Sequence, residues 1–259
     1  MGAPRANASA DVHVVHRDAH LLVVCKPVGM PTTSPDGKRC LVAAARELDP
    51  DAPRMHPSSR LDAEVSGLVT FARTRHAIRA LTLARERGAY RRMYVALAAG
   101  PPEPEVGCWS SAIAVDPRDA RRRVVARTRA QRLSARSAMT SYRIEARAPG
   151  GVCLLLVEPR TGRTHQIRVH SASASAPLLG DVHYGGPRRL TRPDGHVVTA
   201  RRVMLHCAGL LIPDVEGGGQ LDLRAPAPED LRTVWVALGG DASLACLGDG
   251  DLGLFFDVS

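Results

Sequence analysis

Residues 162–170 read Gly162-Arg163-Thr164-His165-Gln166-Ile167-Arg168-Val169-His170. The pattern predicts a loop that continues as a helix over residues 165–172. A helix N-terminus next to arginine is a natural phosphate site, because both offer N–H donors to an anion. Arg168 and His165 lie three positions apart and could share one helix face, while Ile167 and Val169 must pack inward. A solvated basic helix start would explain the same residues, so both interpretations stay open.

A second segment places an acidic residue before a predicted strand. It reads Ser59-Arg60-Leu61-Asp62-Ala63-Glu64-Val65-Ser66-Gly67. A carboxylate in a loop just ahead of a rigid strand can be held firmly enough for catalysis. Most triplets of this kind are surface ion pairs, so the segment alone indicates no activity.

Tyr94 enters a third segment of interest, the apolar run over residues 94–98. The chain has only four tyrosines. A tyrosine at the start of an apolar strand is usually part of the core, but it can also be a platform on which a nucleic-acid base stacks.

The composition is that of a globular protein with an excess of positive charge. The chain has 259 residues, 44% of them hydrophobic, which suits one domain with a full core. Its net charge of +9 favours a polyanionic partner, although a general bias towards arginine would give the same value. The six cysteines show no C-x-x-C spacing, which indicates reduced thiols and a cytoplasmic location. We expect no membrane segment, since no apolar run is long enough to span a bilayer.

Hydrophobic periodicity predicts a mixture of strands and helices. Strands are expected over residues 12–15, 21–24, 68–71, 94–98, 141–146, 153–158 and 204–212, and helices over 41–48, 74–87 and 165–172. Residues 116–136, which carry eight arginines, are expected to form a basic loop. Because strands and helices do not alternate regularly, the pattern favours an α+β fold with a largely antiparallel sheet. The expected divisions are a disordered tail (1–11), one domain (12–238) and a C-terminal extension of unassigned role (239–259).

Two weaker motifs predict no cofactor or metal site. Residues 248–253 fit Gly-x-Gly-x-x-Gly, but they stand at the C-terminus with no helix or second strand after them, as a dinucleotide site would need. His13, His16 and His20 lie in a predicted extended segment that spreads their rings over both faces, so we expect surface and turn histidines. We therefore predict neither a cofactor nor a bound metal.

Taken together, these segments resemble the RluA-type family of pseudouridine synthases over roughly residues 12–228. The ordered set of motifs is Leu22-Val23-Val24-Cys25-Lys26-Pro27-Val28-Gly29, Arg60-Leu61-Asp62 with Ser66-Gly67, Tyr94, Thr140 with Tyr142, residues 162–170, Leu179-Gly180-Asp181 with Tyr184-Gly185, and Arg202-Val203-Met204-Leu205-His206. The block over residues 162–170 is the most specific member of the set.

The resemblance implies a fold and a set of site residues. The fold is a catalytic domain with a bent, mainly antiparallel mixed sheet, flanking helices and a central cleft. Asp62 matches the family's catalytic aspartate, Tyr94 the tyrosine that packs on the uracil ring, and Arg168 the arginine that pairs with the catalytic carboxylate. Arg60 matches the arginine that helps to displace the target base from the RNA. The residues further expected to contact RNA are Arg163, His165, Gln166 and Lys26.

The implied activity is isomerisation of specific uridines in ribosomal or transfer RNA without a cofactor, and we expect the protein to be a monomer. Ser59 departs from the family, which usually has histidine there, and this difference bears on RNA preference more than on chemistry. Two alternatives stay open. One is a catalytically silent RNA-binding protein on the same fold, and the other is a hydrolase of nucleosides or glycans that uses Asp62 with Glu64.

Overall fold

The computed structural model describes residues 11–34 and 39–242. The predicted tail (1–11), except for Asp11, and the motif at 248–253 lie outside the described residues. In chain order the strands are β1 (His13–Arg17), β2 (Leu21–Lys26), β3 (His56–Pro57), β4 (Ser66–Ala72), β5 (Arg91–Ala98), β6 (Val106–Trp109), β7 (Ile113–Asp116), β8 (Asp119–Val125), β9 (Thr140–Arg147), β10 (Cys153–Pro159), β11 (Arg189–Thr191), β12 (Val197–Thr199), β13 (Leu205–Pro213) and β14 (Gln220–Arg224). The helices are α1 (Leu41–Leu48), α2 (Arg75–Glu86), α3 (Arg129–Ser134), α4 (Gln166–Ser173) and α5 (Glu229–Ala237).

The chain forms two compact units. Within the described residues, unit one comprises 11–90 and 209–225, and unit two comprises 91–208 and 226–242. The strand β13 carries the chain from unit two into unit one after Ala208. The extent of the single domain predicted over 12–238 stays a prediction.

Unit one is built on antiparallel strands. The strand β2 lies between β1 and β4, with Val24 opposite Val14 on one side and Val69 on the other. The side chains over residues 21–24 are completely buried, as expected of a strand covered on both faces. The helix α1 has the predicted bounds, and α2 begins after Thr74, whose hydroxyl accepts a hydrogen bond from the Ala77 backbone N–H at 3.1 Å.

Unit two contains an antiparallel sheet in the order β5-β10-β9-β6. One face packs against α5, whose Trp235 is 1% exposed and belongs to a core with Leu154 and Leu156 of β10. The sequence interpretation missed α5, although Pro228 followed by two acidic residues is a readable helix start. The pairs β1–β2 and β2–β4 of unit one and β5–β10 of unit two are antiparallel and helices flank the strands, so the predicted α+β class is confirmed.

The prediction of a loop over residues 116–136 is wrong. The strands β7 and β8 form an antiparallel hairpin, and α3 follows it. The helix starts with a capping box, in which the Thr128 hydroxyl accepts from the Gln131 N–H and the Gln131 side chain accepts from the Thr128 N–H. The run of arginines hid these elements, because pairing in β8 depends on partners in β7 rather than on an apolar pattern of its own.

The start of the predicted C-terminal extension packs against Trp235, a core residue of unit two. Gly239 has a φ of +86°, and a Cβ atom added to Gly240 would lie 2.1 Å from the Trp235 ring. The Trp235 indole N–H donates to the Asp241 carbonyl at 2.9 Å. The chain therefore turns back over Trp235 at a place where only glycine fits.

Candidate active site

Asp62 lies in a turn whose backbone is fixed on both sides. The Thr32 hydroxyl accepts a hydrogen bond from the Leu61 N–H (3.0 Å) and donates one to the Leu61 carbonyl (2.9 Å). The Gly29 N–H donates to the Ala63 carbonyl at 2.7 Å. Asp62 itself is half-buried and shortly precedes the buried strand β4. Because both neighbours are held, the backbone that carries the Asp62 side chain has little freedom to move.

Lys26 is hydrogen-bonded to the backbone of the same turn. Its side chain is completely buried. The ammonium group donates to the carbonyls of Pro27 (2.9 Å), Met30 (2.7 Å) and Ala63 (3.4 Å). Three N–H donors meet three carbonyl acceptors, which links the end of β2 to the segment that carries Asp62. This is a positioning role within unit one, and the predicted contact of Lys26 with RNA stays a prediction.

The two residues on the N-terminal side of Leu61 have opposite environments. Arg60 is exposed, so its guanidinium is accessible to a large polyanion. Ser59 is buried, and its hydroxyl has no hydrogen-bond partner within residues 11–34 and 39–242. The predicted role of Arg60 in displacing a base is not tested by its position.

The helix α4 begins one residue later than predicted. His165 adopts a left-handed conformation, with φ 56° and ψ 20°, so the helix starts at Gln166 and runs to Ser173. The residues from Gln166 to Ser171 are all buried. The low exposure means that the polar side chains of α4 must find partners inside the protein.

Gln166 makes four hydrogen bonds inside unit two. Its side-chain oxygen accepts from the Thr161 hydroxyl (2.7 Å) and the Arg163 N–H (3.0 Å). Its amide nitrogen donates to the Met139 carbonyl (2.8 Å) and the Thr140 hydroxyl oxygen (2.9 Å). These bonds use both acceptor and both donor positions of the amide. Gln166 thus ties the loop before α4 to β9, and its predicted RNA contact stays a prediction.

His170 continues this hydrogen-bonded chain. Its Nε2 atom donates to the Ser111 carbonyl (2.9 Å), which leaves Nδ1 as the acceptor for the Thr140 hydroxyl (2.9 Å). Burial lowers the pKa of His170 below its ordinary value, and the bond to Ser111 opposes that shift only in part. Because the Ser111 carbonyl can only accept, the neutral form of the ring carries its proton on Nε2.

Arg168 is held by a buried ion pair with Asp181. Its Nε and Nη2 atoms donate to the two carboxylate oxygens of Asp181, both at 2.8 Å. The two side chains are 3% and 1% exposed. The geometry is bidentate, which fixes the plane of the guanidinium as well as its position. Gly180, just before Asp181, has a φ of +76°, which only glycine adopts readily.

A histidine–tyrosine contact adjoins this pair. The Tyr184 hydroxyl lies 2.8 Å from His165 Nδ1 and accepts a hydrogen bond from the Arg123 N–H at 3.0 Å. The Arg168 guanidinium carbon is 5.2 Å from the centre of the Tyr184 ring, within the range of a cation–π contact.

Comparison with known proteins gives these residues a context. The family model for RNA pseudouridylate synthase matches residues 20–173, which is more than half of the chain. The chain belongs to this family. The synthase is accordingly an isomerase that acts on RNA, and the predicted recognition and enzyme class are confirmed.

Two curated relatives show how far the similarity extends. Ribosomal large subunit pseudouridine synthase D of Xanthomonas campestris is 33% identical over 246 residues, covering 90% of this chain and 71% of the relative. The dual-specificity RNA pseudouridine synthase RluA of Escherichia coli strain K12 is 27% identical over 215 residues, covering 83% of this chain and 92% of the relative. Among solved structures, human RNA pseudouridylate synthase domain containing 4 has a TM-score of 0.67 at 22% identity, over 88% of this chain and 93% of that one. The last similarity concerns the fold.

The predicted site residues of the synthase fall into two groups. Those in unit one are Arg60, Asp62 and Lys26, and those in unit two are Tyr94, Arg163, His165, Gln166 and Arg168. Tyr94 is 4% exposed on β5, opposite Val157 of β10. The other members of the second group lie along the loop before α4 and its first turn. Their catalytic and RNA-binding roles stay predictions.

Sequence reasoning left two residues of unit two without a role. Asp181 and Tyr184 were named only as part of the family's motifs, yet they contact Arg168 and His165 directly. The spacing of thirteen residues between Arg168 and Asp181 gives no local signal for a pair. The motif Leu179-Gly180-Asp181 was the one available signal, because a glycine before an acidic residue marks a fixed turn.

The arginine-rich arm is a further basic element of the synthase, defined as residues 113–136. Its exposed arginines are Arg118, Arg121, Arg127, Arg129, Arg132 and Arg136. Arg121 pairs with Asp119 at 3.2 Å, but the pair is open to solvent on the arginine side. Exposed guanidinium groups on one element form a suitable surface for phosphates.

Two further kinds of feature are metal sites and membrane-spanning helices. In the part of the chain that the structure describes, no three histidine, cysteine, aspartate or glutamate side chains converge as metal ligands. Over the same residues, no helix combines the length and apolar character needed to cross a membrane.

Proposed function

We propose that this synthase converts uridines of ribosomal RNA to pseudouridine and that Asp62 is its catalytic carboxylate. One observation carries the proposal. Asp62 occupies the third position of Arg-Leu-Asp, inside the family match, on a turn held at Leu61 and Ala63 by hydrogen bonds. A reacting group must be held within a fraction of an ångström of its target, and a fixed backbone on both sides of Asp62 supports such a role.

The chemistry needs one carboxylate and no external reactant. The bond from ribose C1′ to uracil N1 breaks, the base turns, and C1′ bonds to C5. C5 then loses a proton and N1 gains one, so that substrate and product are isomers. The Asp62 carboxylate acts as nucleophile or stabilises charge that develops at the sugar, as carboxylates do in glycoside hydrolysis. Tyr94, stacked on the uracil ring, and Arg168, which favours an ionised carboxylate, complete the proposed catalytic set.

Ribosomal RNA is the preferred substrate in this proposal. Two of the relatives, from Xanthomonas campestris and Xylella fastidiosa, are named for the ribosomal large subunit, and each is 33% identical to this chain. Transfer RNA is the alternative substrate. Arg60, Arg163 and His165 are proposed to contact the RNA near the target base, where flipping a base out costs a few kcal/mol that protein contacts must offset.

We further propose that the synthase acts in the cytoplasm as a monomer. The five described cysteines are free thiols, as in a reducing compartment, and one chain carries the full set of motifs. Light scattering of the purified chain tests the oligomeric state, with one chain per particle expected.

Tritium release from RNA labelled at uracil C5 tests the proposed activity. Wild type should release tritium from ribosomal RNA, and Asp62→Asn should reduce the rate about 10⁴-fold or more, as removal of a catalytic carboxylate does elsewhere. Asp51→Asn provides the matched control, because Asp51 is an exposed aspartate of the same unit outside the predicted site. It should keep the wild-type rate.

The other outcomes identify the alternatives. Binding of RNA without tritium release by the wild type would indicate a silent RNA-binding protein. Release of free uracil, lost in both Asp62→Asn and Glu64→Gln, would indicate a hydrolase with a pair of carboxylates. Release from transfer RNA but not from ribosomal RNA would keep the mechanism and change the substrate.

A further inference from the structure

Tyr184 contacts both the arginine-rich arm and the segment from His165 to Arg168, which is here called the site segment. From the arm, the Arg123 N–H donates to the Tyr184 hydroxyl at 3.0 Å, and the Arg122 guanidinium carbon lies 5.5 Å from the ring centre. From the site segment, His165 Nδ1 lies 2.8 Å from the same hydroxyl, and the Arg168 guanidinium carbon lies 5.2 Å from the same ring. One buried side chain thus contacts two consecutive residues of β8 and two residues at the start of α4.

Apolar packing joins the same two elements. Ile113 and Val125, which pair with each other at the open end of the β7–β8 hairpin, pack in one cluster with Tyr184 and with Val169 and Ala172 of α4. Packed side chains of this kind transmit displacement because they are nearly as dense as an organic crystal. Movement of the arm at Ile113 and Val125 must therefore be accompanied by movement of Tyr184 or of α4.

The exposed residues of the arm contrast with those packed against Tyr184. They include Arg129 and Arg132 of α3, and α3 has no buried residue. The free energy of unfolding gains little from such residues. Their charge is available for an RNA backbone.

We propose that Tyr184 is a positioning residue that couples phosphate binding by the arm to the placement of α4 and Arg168. The inference rests on the proposed function, since it concerns turnover of the same RNA. A structured RNA that binds the arm holds the end of the hairpin at Ile113 and Val125 against Tyr184. It thereby restrains α4. Binding energy from a remote part of the substrate is thereby used at the reacting centre. A short RNA that does not reach the arm gains nothing from this coupling.

Two RNAs and two tyrosine variants test the coupling. Tritium release is measured on intact ribosomal RNA and on an excised stem-loop around the mapped uridine. Tyr184→Phe keeps the ring and removes the hydroxyl. It should lower kcat/KM about tenfold on the intact RNA, a typical size for coupling between sites, and change it less than about twofold on the stem-loop. The matched control is Tyr90→Phe, which removes another buried hydroxyl, the donor to Thr70 Oγ1 in unit one.

A combined variant separates coupling from two independent effects. Replacing Arg129, Arg132 and Arg136 by glutamine should cause a similar loss on the intact RNA. Adding Tyr184→Phe to it should cause little further loss, because residues of one coupled unit are not additive. If Tyr184→Phe does not fold, Arg122→Gln takes its place, because it removes the guanidinium near the Tyr184 ring and leaves the hydrogen bonds of the Tyr184 hydroxyl intact. This variant should show the same dependence on RNA length.

Three results would overturn the inference. Equal losses on both RNAs would mean that Tyr184 only supports α4, and multiplied losses in the combined variant would mean that arm and tyrosine act separately. An unchanged rate for Tyr184→Phe on the intact RNA would exclude coupling through the hydroxyl. These results leave the proposed function intact, whereas no tritium release by the wild type from either RNA would overturn both.

Discussion

Arginine occurs in two contrasting settings within unit two. Arg168 is 3% exposed, and two of its donors bind Asp181. The arginines of α3, by comparison, lie on a helix with no buried residue. A buried guanidinium is restrained by its partner and determines local geometry, whereas an exposed one keeps its conformational freedom and its charge for an external anion.

The contrast makes stability and RNA binding separable. Removing one partner of a buried ion pair leaves an uncompensated charge in a low-dielectric site, which strongly lowers the free energy of unfolding. Removing an exposed charge changes that free energy little, but it changes the attraction for a polyanion. Variants of the two settings should therefore affect different measurements.

Asp181→Asn should have the largest effect on stability. It replaces a buried carboxylate that binds two donors of Arg168 by a neutral amide, so we expect the free energy of unfolding to fall by about 3–5 kcal/mol. Urea unfolding of the full chain, followed by circular dichroism, measures this change. Asp119→Asn is the control, because its ion pair with Arg121 is exposed on the arginine side, and its midpoint should match wild type. A wild-type midpoint for Asp181→Asn would mean that the buried pair contributes nothing.

Gln166→Ala should have the next largest effect. It leaves four groups without their hydrogen bonds to the Gln166 amide, and unsatisfied buried groups cost about 1–3 kcal/mol. The same unfolding assay applies, with Gln220→Ala as the control at an exposed position. Equal midpoints for the two variants would show that water replaces the missing bonds and that the network around α4 is not required.

Acid should destabilise the fold partly through His170. Burial lowers the pKa of His170 from its ordinary value of 6.5. Just below pH 6.5 the unfolded chain therefore binds a proton at His170 that the folded chain does not bind. This contribution to stability is complete above pH 6.5 and falls as the pH drops towards the folded pKa. Unfolding midpoints of wild type and His170→Gln, compared across this range, isolate it. Parallel plots of midpoint against pH for the two proteins would contradict a contribution from His170. His196→Gln, at an exposed position, serves as the control.

Replacing Arg129, Arg132 and Arg136 by glutamine should have the smallest effect on stability, below about 0.5 kcal/mol. The effect of this triple variant should appear in RNA binding. The magnitude of the slope of log association constant against log salt concentration should decrease by about 2, because each phosphate neutralised by an arginine contributes about 0.7–0.9 to it. The matched control replaces three exposed arginines of unit one, Arg46, Arg75 and Arg79. Equal slopes for the two triple variants would mean that net charge, rather than the arm, determines binding.

Local signals predicted the parts of the fold that depend on nearby residues. The helix α1 has the predicted bounds, and β10 differs from its predicted strand by one residue. The hairpin and helix of the arm were missed because a run of arginines masks pairing with β7, although Thr128 and Gln131 form a readable capping box.

The site was predictable only in part, for the same physical reason. The resemblance gave the positions of Asp62, Tyr94 and Arg168, since motifs survive as short strings. It did not give the partners of those side chains. The bond from Arg123 to Tyr184 joins residues 61 positions apart, and the bonds from Gln166 to β9 and the residue before it span 26 and 27 positions. Such contacts depend on the tertiary fold, which composition and periodicity do not contain.

The buried amine of Lys26 makes the chain easy to probe chemically. The sequence contains two lysines, Lys26 and Lys38, and Lys38 lies outside the described residues. An amine-specific reagent can reach Lys26 only when its Nζ leaves the carbonyls of Pro27, Met30 and Ala63. The labelling rate of this one atom therefore measures how often the turn beside Asp62 opens, and comparison with global unfolding tells whether it opens alone.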